Sequence, residues 1–445
     1  MLNHNHRKLE RQVEVPVSGH TGRSATLDKI KGTYHPKKSS LSNSMKMRRQ
    51  LQKVSRFINC EKIGKNVKAK SALGRCGLFC NRDGEIRVGS AGLTWSGFET
   101  CRSALCPYCG TIKAKGYREE MKQSVGRMYE RGGSVLFFTA TNSRGGYELG
   151  DLYSLQSKIL SRMLQGSFKS KLEEMFEYKG VYRRPEVQIR TKHKGDGQGD
   201  FHAHNHCLLF FGRKLTQEEL QLLDKLLFSR WQKGIEKQGL TAYREFTRVE
   251  QPKNIEAMGS YITKLAGSLS LELSSVDTKD GKDSVSYFQL LKMIWAGDKS
   301  ARTIALAKTY QEEMKGKRFM SVSRNLRREL LPELFSPDGV EMTEEEVEKF
   351  FEDAEREREE KEAKVIVPVV PQIVGYVASR DKLKEKLLHI MEHNNSFLYK
   401  FRDLCARICL LVADSKDDRC MEEFDLEDEV RRELHNLIDC WGTVP

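Results

Sequence analysis

The chain has 445 residues, 38% hydrophobic and 31% charged, with 76 Lys+Arg against 62 Asp+Glu and a net charge of +14. That length allows a sizeable core and two or three domains, and the apolar fraction excludes wholesale disorder. No apolar run approaches the roughly 20 residues that a membrane span requires. The start, Met1 to Gln12, is polar and basic without an apolar stretch behind it, so no secretory signal is expected. The eleven cysteines are then expected in a reducing cytoplasm, where clustered thiols bind metal more often than they form disulfides. These expectations exclude a secreted, membrane or small disulfide-stapled protein.

The charge is unevenly placed. Residues 1–70 hold 17 Lys+Arg and 4 Asp+Glu, residues 71–340 hold 43 and 31, and residues 341–445 hold 16 and 27. Two basic blocks are an electrostatic reason to expect a polyanionic partner, most often nucleic acid; a solvated flexible tail is the alternative.

In chain order, residues 1–70 are polar and basic with sparse apolar positions, and read as a mostly disordered tail with short helical tendencies. Residues 71–115 carry five cysteines among glycines and short β-prone runs, a loop-rich metal knot. A helix is predicted from Gly116 to Arg131, ending at Gly132-Gly133, and then a buried strand from Ser134 to Thr141. Asp151 to Glu177 reads as one helical stretch. Strands follow at Glu186–Thr191 and Phe201–Phe211, joined by a turn at Gly195-Asp196-Gly197-Gln198-Gly199. Leu215–Gln238 and Asn254–Leu271 are amphipathic helices. Residues 116–340 thus form one domain. Beyond it, residues 341–362 hold 12 acidic and 4 basic residues, an exposed charged helix. Val365–Val374, with Pro368 and Pro371, reads as an extended linker, so that 341–380 separates the domain from a helical end, 381–445. Two helices, Asp381–Val412 and Glu422–Trp441, make up that end, where Cys405 and Cys409 read as core positions. It could bind a partner or support a homodimer. The order of elements predicts an α+β fold with an antiparallel sheet, and no phosphate-binding G-x-x-x-x-G-K-[ST] loop is present.

The most informative stretch is Phe201-His202-Ala203-His204-Asn205-His206-Cys207-Leu208-Leu209-Phe210-Phe211. Alternation in a strand puts His202, His204 and His206 on one face, so two or three imidazoles converge on a plausible divalent-metal site. Glu186, on the strand across the glycine-rich turn, is the best-placed carboxylate to complete the ligands. Solvent-facing histidines and a surface glutamate are the alternatives.

Met258-Gly259-Ser260-Tyr261-Ile262-Thr263-Lys264-Leu265 lies in the third amphipathic helix, with Tyr261 and Lys264 three residues apart on one face. An ammonium beside a phenol favours phenolate, and phenolate is a competent nucleophile at phosphorus. A core tyrosine beside a lysine whose stem lies along apolar surface is the alternative.

Taken together, these residues resemble a plasmid rolling-circle replication initiator of the HUH endonuclease superfamily. Phe137-Phe138-Thr139-Ala140-Thr141 is similar to its first motif. His202 to Phe210 is similar to the second, with His204 and His206 at the metal-binding pair. Tyr261-Ile262-Thr263-Lys264 is similar to the third, with the nicking tyrosine. The likeness extends to Phe288–Leu291 and Ser323–Arg327, so it covers about residues 74–335. It implies an HUH core, a Mg²⁺ or Mn²⁺ ion, a 5′-phosphotyrosyl intermediate and a free 3′-OH primer. It also implies single-stranded and duplex origin DNA, host helicase and host polymerase as partners. Asn205 departs from the pattern, being polar where the family has a hydrophobic residue; it faces away from the metal, so a local packing change is expected. The motif also holds one tyrosine only. Relatives of that kind use a carboxylate-activated water to end the cycle, and Glu256 is the carboxylate nearest in sequence.

Cys106-Pro107-Tyr108-Cys109 is a C-x-x-C pair with Cys76, Cys80 and Cys101 upstream, and tetrahedral zinc needs four such donors. The resemblance favours Cys76, Cys101, Cys106 and Cys109 as a structural zinc site, with Cys80 the substitute for Cys76 or Cys101. The competing readings are an HUH transposase, a relaxase, which places its tyrosine ahead of the histidines, and a non-catalytic zinc-containing DNA-binding regulator.

Overall fold

A computed structural model describes residues 38–262 and 284–369, with short interruptions that include 193–199 and 254–256, and parts of 373–405 and 431–438. Helix α1 (Lys38–Asn59) leads into the hairpin β1 (Cys60–Ile63) and β2 (Asn66–Ala69), a single-turn helix α2 (Ala72–Arg75), and the pair β3 (Gly84–Gly89) and β4 (Gly92–Trp95). Helix α3 (Cys109–Glu130), strand β5 (Ser134–Thr141), helices α4 (Leu149–Met163) and α5 (Gly166–Phe176), and strands β6 (Tyr178–Arg190) and β7 (Phe201–Phe211) follow. Next come α6 (Gln217–Glu236), β8 (Arg248–Glu250), β9 (Ser284–Val285), α7 (Tyr287–Ala296), α8 (Ala301–Glu313), β10 (Ser321–Val322), α9 (Arg324–Leu330), α10 (Glu344–Glu362) and β11 (Val365–Val369).

The architecture is α+β. One antiparallel sheet runs β10-β6-β7-β5-β8, with β9 also on β6; β7 is central because it is apolar along most of its length and buried on both faces. Its two faces build two cores. Leu136, Phe138, Ala203, Cys207 and Leu209 pack on one side beneath α4, α6, α7 and α8. Val135, Phe137, Tyr182, Leu208 and Phe210 pack on the other with α3, α9 and α10. The histidines belong to this second face. Capping boxes at Thr216/Glu219 and Ser286/Gln289 fix where α6 and α7 begin, each satisfying orphan N–H groups. Gly180, at a register shift in β6, lets α9 approach; a Cβ there would meet the Leu326 Cβ at 2.7 Å.

Several expectations need correction. Residues 38–69 are not a disordered tail: Leu51, Val54 and Ile58 of α1 enter the main core, a burial that polar composition hid. The stretch 151–177 is two helices, broken where Gly166 adopts a left-handed φ of 59°. The strand expected at Glu186 starts at Tyr178, and the helix expected at Gly116 starts at Cys109. The acidic helix is not wholly exposed, since Val347 and Phe351 are buried against α3. The linker is also overturned: residues 365–369 are strand β11, paired with β3, and Pro368 is tolerated because β11 is an edge strand. Val367 and Val369 join Ile86, Phe401, Leu404 and Cys405 in a separate small core. The glycine-rich turn, Cys409 and much of the third amphipathic helix lie outside the described residues; Ala257–Gly259 and Tyr261–Ile262 are helical.

Candidate metal centre and tyrosine site

In the β6–β7 register Glu186 stands opposite His204, and in the β5–β7 register Thr139 stands opposite His206. All four side chains therefore share one face. Glu186 Oε2 lies 2.8 Å from His206 Nε2 and 3.4 Å from His204 Nε2, and the two imidazole nitrogens are 3.1 Å apart. Burial pushes the Glu186 carboxyl up, but hydrogen bonds from His204 and His206, with their charges, outweigh it and hold the group well below the usual carboxylate range. Thr139 Oγ1 sits 3.2 Å from His206 Nδ1 and so turns the other ring nitrogen toward the centre. His204 Nδ1 is buried without a hydrogen-bond partner. One carboxylate oxygen and two imidazole nitrogens within 4.8 Å of one another suit a divalent cation with open positions.

His202 stands outside this donor set. Its register partner is Gln188, one repeat farther along the strand, about 6.6 Å on. It stacks on His204 at 5.7 Å between ring centroids, and burial, followed by the His204 and Arg190 charges, lowers its pKa to about 4. Asn205 points to the opposite face, as expected, and is satisfied there: its Nδ2 donates to Gln156 Oε1 at 3.0 Å, while Gln156 Nε2 donates to Asn142 Oδ1 at 2.8 Å.

Tyr261 reaches the same face. The Phe137 ring bridges the two groups, 5.1 Å from His206 and 4.4 Å from Tyr261 between centroids. The Tyr261 hydroxyl donates to Glu250 Oε2 at 3.0 Å, and Arg248 Nε donates to the other oxygen, Oε1, at 2.5 Å. Burial first, then the hydrogen bond and charge of Glu250, raise the Tyr261 pKa. Lys264, expected to lower it, and Glu256 both lie outside the described residues. Glu250 was missed because a three-residue strand carries no periodicity; only its pairing with Phe137 in β5 brings it to the site. Beside Glu186 a cleft opens between α3 and β6, lined by Arg184, Lys113, Tyr117 and Phe319.

The cysteines form a second centre. The Sγ atoms of Cys76 and Cys109 are 3.6 Å apart, Cys101 and Cys109 3.8 Å, and Cys106 and Cys76 3.5 Å. A tetrahedron with Zn–S bonds of about 2.3 Å requires S···S spacings of about 3.8 Å, so the four fit that ion. Bonds from the other three thiols hold Cys76 down in pKa. Helix α1 braces the knot: Gln52 Nε2 donates to the Cys76 carbonyl at 3.2 Å, and Cys106 Sγ donates to Gln52 Oε1 at 3.3 Å. Cys80 lies outside the described residues.

Fold and site together define a protein with an antiparallel sheet that brings a Glu-His-His donor set and a tyrosine to one face, beside a four-cysteine knot. A family model described as a replication protein, Rep_1, matches residues 93–368, more than half of the chain. The chain belongs to this family of replication proteins. Comparisons with curated proteins and with solved structures give no match. Among the described residues, no helix is long and apolar enough to cross a membrane.

Proposed function

We propose that the protein is an HUH-type nicking and joining enzyme that initiates rolling-circle replication of a plasmid by cutting one strand at the origin. The observation that carries this reading is the Phe137 ring, which stacks on His206 of the donor set and also contacts the Tyr261 ring. Those three residues would hold a Mg²⁺ or Mn²⁺ ion, which when bound supplies Lewis-acid polarisation of the scissile phosphate.

The chain's own groups account for the rest. Glu250 accepts the Tyr261 proton as the phenol oxygen attacks phosphorus. The new O–P bond forms in line with the breaking bond to O3′, whose electron pair stays on the leaving oxygen and is protonated by solvent. The products are a 5′-phosphotyrosyl link at Tyr261 and a 3′-OH for a host polymerase to extend; attack by a 3′-OH reverses the step and rejoins a strand. Lys264, at the position that matches the lysine of the family's third motif, would stabilise charge on the phosphate. The Cys76–Cys101–Cys106–Cys109 knot would hold structural zinc and tie α1 to the catalytic sheet. A host helicase would supply unwinding at the origin.

The test incubates the protein with Mn²⁺ and labelled single strands from its own replicon, followed by denaturing gels. A covalent protein–DNA band, absent in Tyr261→Phe, is expected. Tight duplex binding with no adduct on any strand would instead indicate a non-catalytic regulator.

A further inference from the structure

The turn between α6 and β8 presents an aromatic residue to solvent beside Thr141, the cross-strand partner of His204. Phe246 is 59% exposed, and its neighbour Arg248 has a side chain 60% exposed. A mobile loop would explain such exposure, but this turn is pinned on both sides. Thr141 Oγ1 donates to the Phe246 carbonyl at 3.4 Å, and the Thr141 N–H donates to Thr247 Oγ1 at 3.1 Å. Thr247 Oγ1 also donates to the Thr141 carbonyl at 3.1 Å, and Arg244 Nη1 donates to the Thr247 carbonyl at 2.9 Å. Thr141 is the register partner of His204. The second threonine of the Thr139-Ala140-Thr141 motif thus holds Phe246 at a fixed place next to the metal donors, as the first orients His206. Tyr243 meets the Phe246 ring edge-on at 6.4 Å between centroids and supports one side of it.

A fixed, solvent-facing aromatic ring has the chemistry of a stacking platform for single-stranded nucleic acid, because every base offers it a flat face; Arg244 and Arg248 near it in the turn are about half exposed and paired with Asp224 and Glu250. We infer that Phe246 stacks on a base of the bound single strand beside the scissile phosphate, and that the 243–248 turn thereby seats the strand over the Glu186–His204–His206 centre. This rests on the proposed single-stranded DNA substrate and adds a residue that positions it.

The test separates the two. Binding of fluorescein-labelled oligo(dT) and oligo(dA) is measured by anisotropy without divalent metal, in a Tyr261→Phe background that cannot cleave. Phe246→Ala is expected to weaken binding about 5- to 150-fold, the range of one base stack, with Tm unchanged because the ring is exposed. Phe246→Tyr should restore binding, and Phe246→Trp should show indole emission quenched on adding oligo(dT). Binding by Phe246→Ala within twofold of the parent, unquenched indole emission, or no detectable binding by the parent would each overturn the inference. A covalent adduct formed by the protein with Tyr261 intact, while Phe246→Ala binds normally in the Tyr261→Phe background, sinks the platform alone. Phe246-dependent binding with no adduct sinks the nicking mechanism alone.

Discussion

Glu250 gives Tyr261 a proton acceptor 3.0 Å away, and the same contact makes the phenol harder to ionise in the resting protein. At neutral pH the tyrosine is therefore protonated, and on the proposed mechanism it would transfer its proton to Glu250 during attack. In Glu250→Gln, adduct formation at neutral pH should fall about 10²- to 10⁴-fold, the usual worth of a positioned base. Its rate should then climb about tenfold per pH unit, as the fraction of phenolate rises below the Tyr261 pKa. That pKa should itself move down toward the ordinary tyrosine value, read from phenolate absorbance, because two of its three raising causes are gone while burial remains. A variant profile as flat as the parent's would remove Glu250 from the reaction. A second residue-level test concerns Thr139: Thr139→Val should weaken Mn²⁺ binding about 10- to 100-fold, the range for lost support of a metal ligand, with titration calorimetry as the readout.

Among elements, α1 carries the largest departure from expectation. Its Lys and Arg content reads as a solvated tail, yet Leu51 is fully buried in the main core and Gln52 bonds the cysteine knot. Leu51→Ala should cost about 2–5 kcal/mol in urea unfolding, whereas a disordered tail would lose nothing. Cys106→Ser should release one equivalent of zinc, measured by atomic emission, and lower the Tm, since Cys106 contacts both Cys76 and Gln52. Metal content and Tm both unchanged would count against a structural ion there.

At the scale of the whole molecule, the second sheet face is closed by a buried charge network. Glu120 of α3, 1% exposed, accepts from Arg327 Nε at 2.9 Å and from the Tyr182 hydroxyl at 3.0 Å, and Arg327 Nη1 donates to Glu341 at 2.9 Å. Arg327→Ala would leave a buried carboxylate without its cation, a loss of about 3–5 kcal/mol. Burial already raises the Glu120 pKa with Arg327 in place, and removing the cation raises it further. A carboxyl with a raised folded-state pKa favours folding below its unfolded pKa, and that contribution is lost as pH rises through the folded value. The penalty of Arg327→Ala should thus be larger at neutral than at mildly acidic pH, as denaturant unfolding at the two would show.

What the sequence determined by itself was local. Strands β5 and β7 have the predicted bounds because their apolar and β-branched runs leave no other periodicity, and strand alternation alone puts His204 and His206 on one face. The cysteine positions likewise followed from spacing and resemblance. Tertiary structure decided everything that depends on pairing between distant segments. Glu186 was already legible as the carboxylate across the turn, but register left His202 behind; β5–β8 pairing supplied Glu250; β11 joined β3 across more than 270 residues of chain. Strand pairing is chosen by the fit of two surfaces, and neither segment carries a record of its partner in its own periodicity. For that reason the histidines could be read before folding, and the carboxylate hydrogen-bonded to Tyr261 could not.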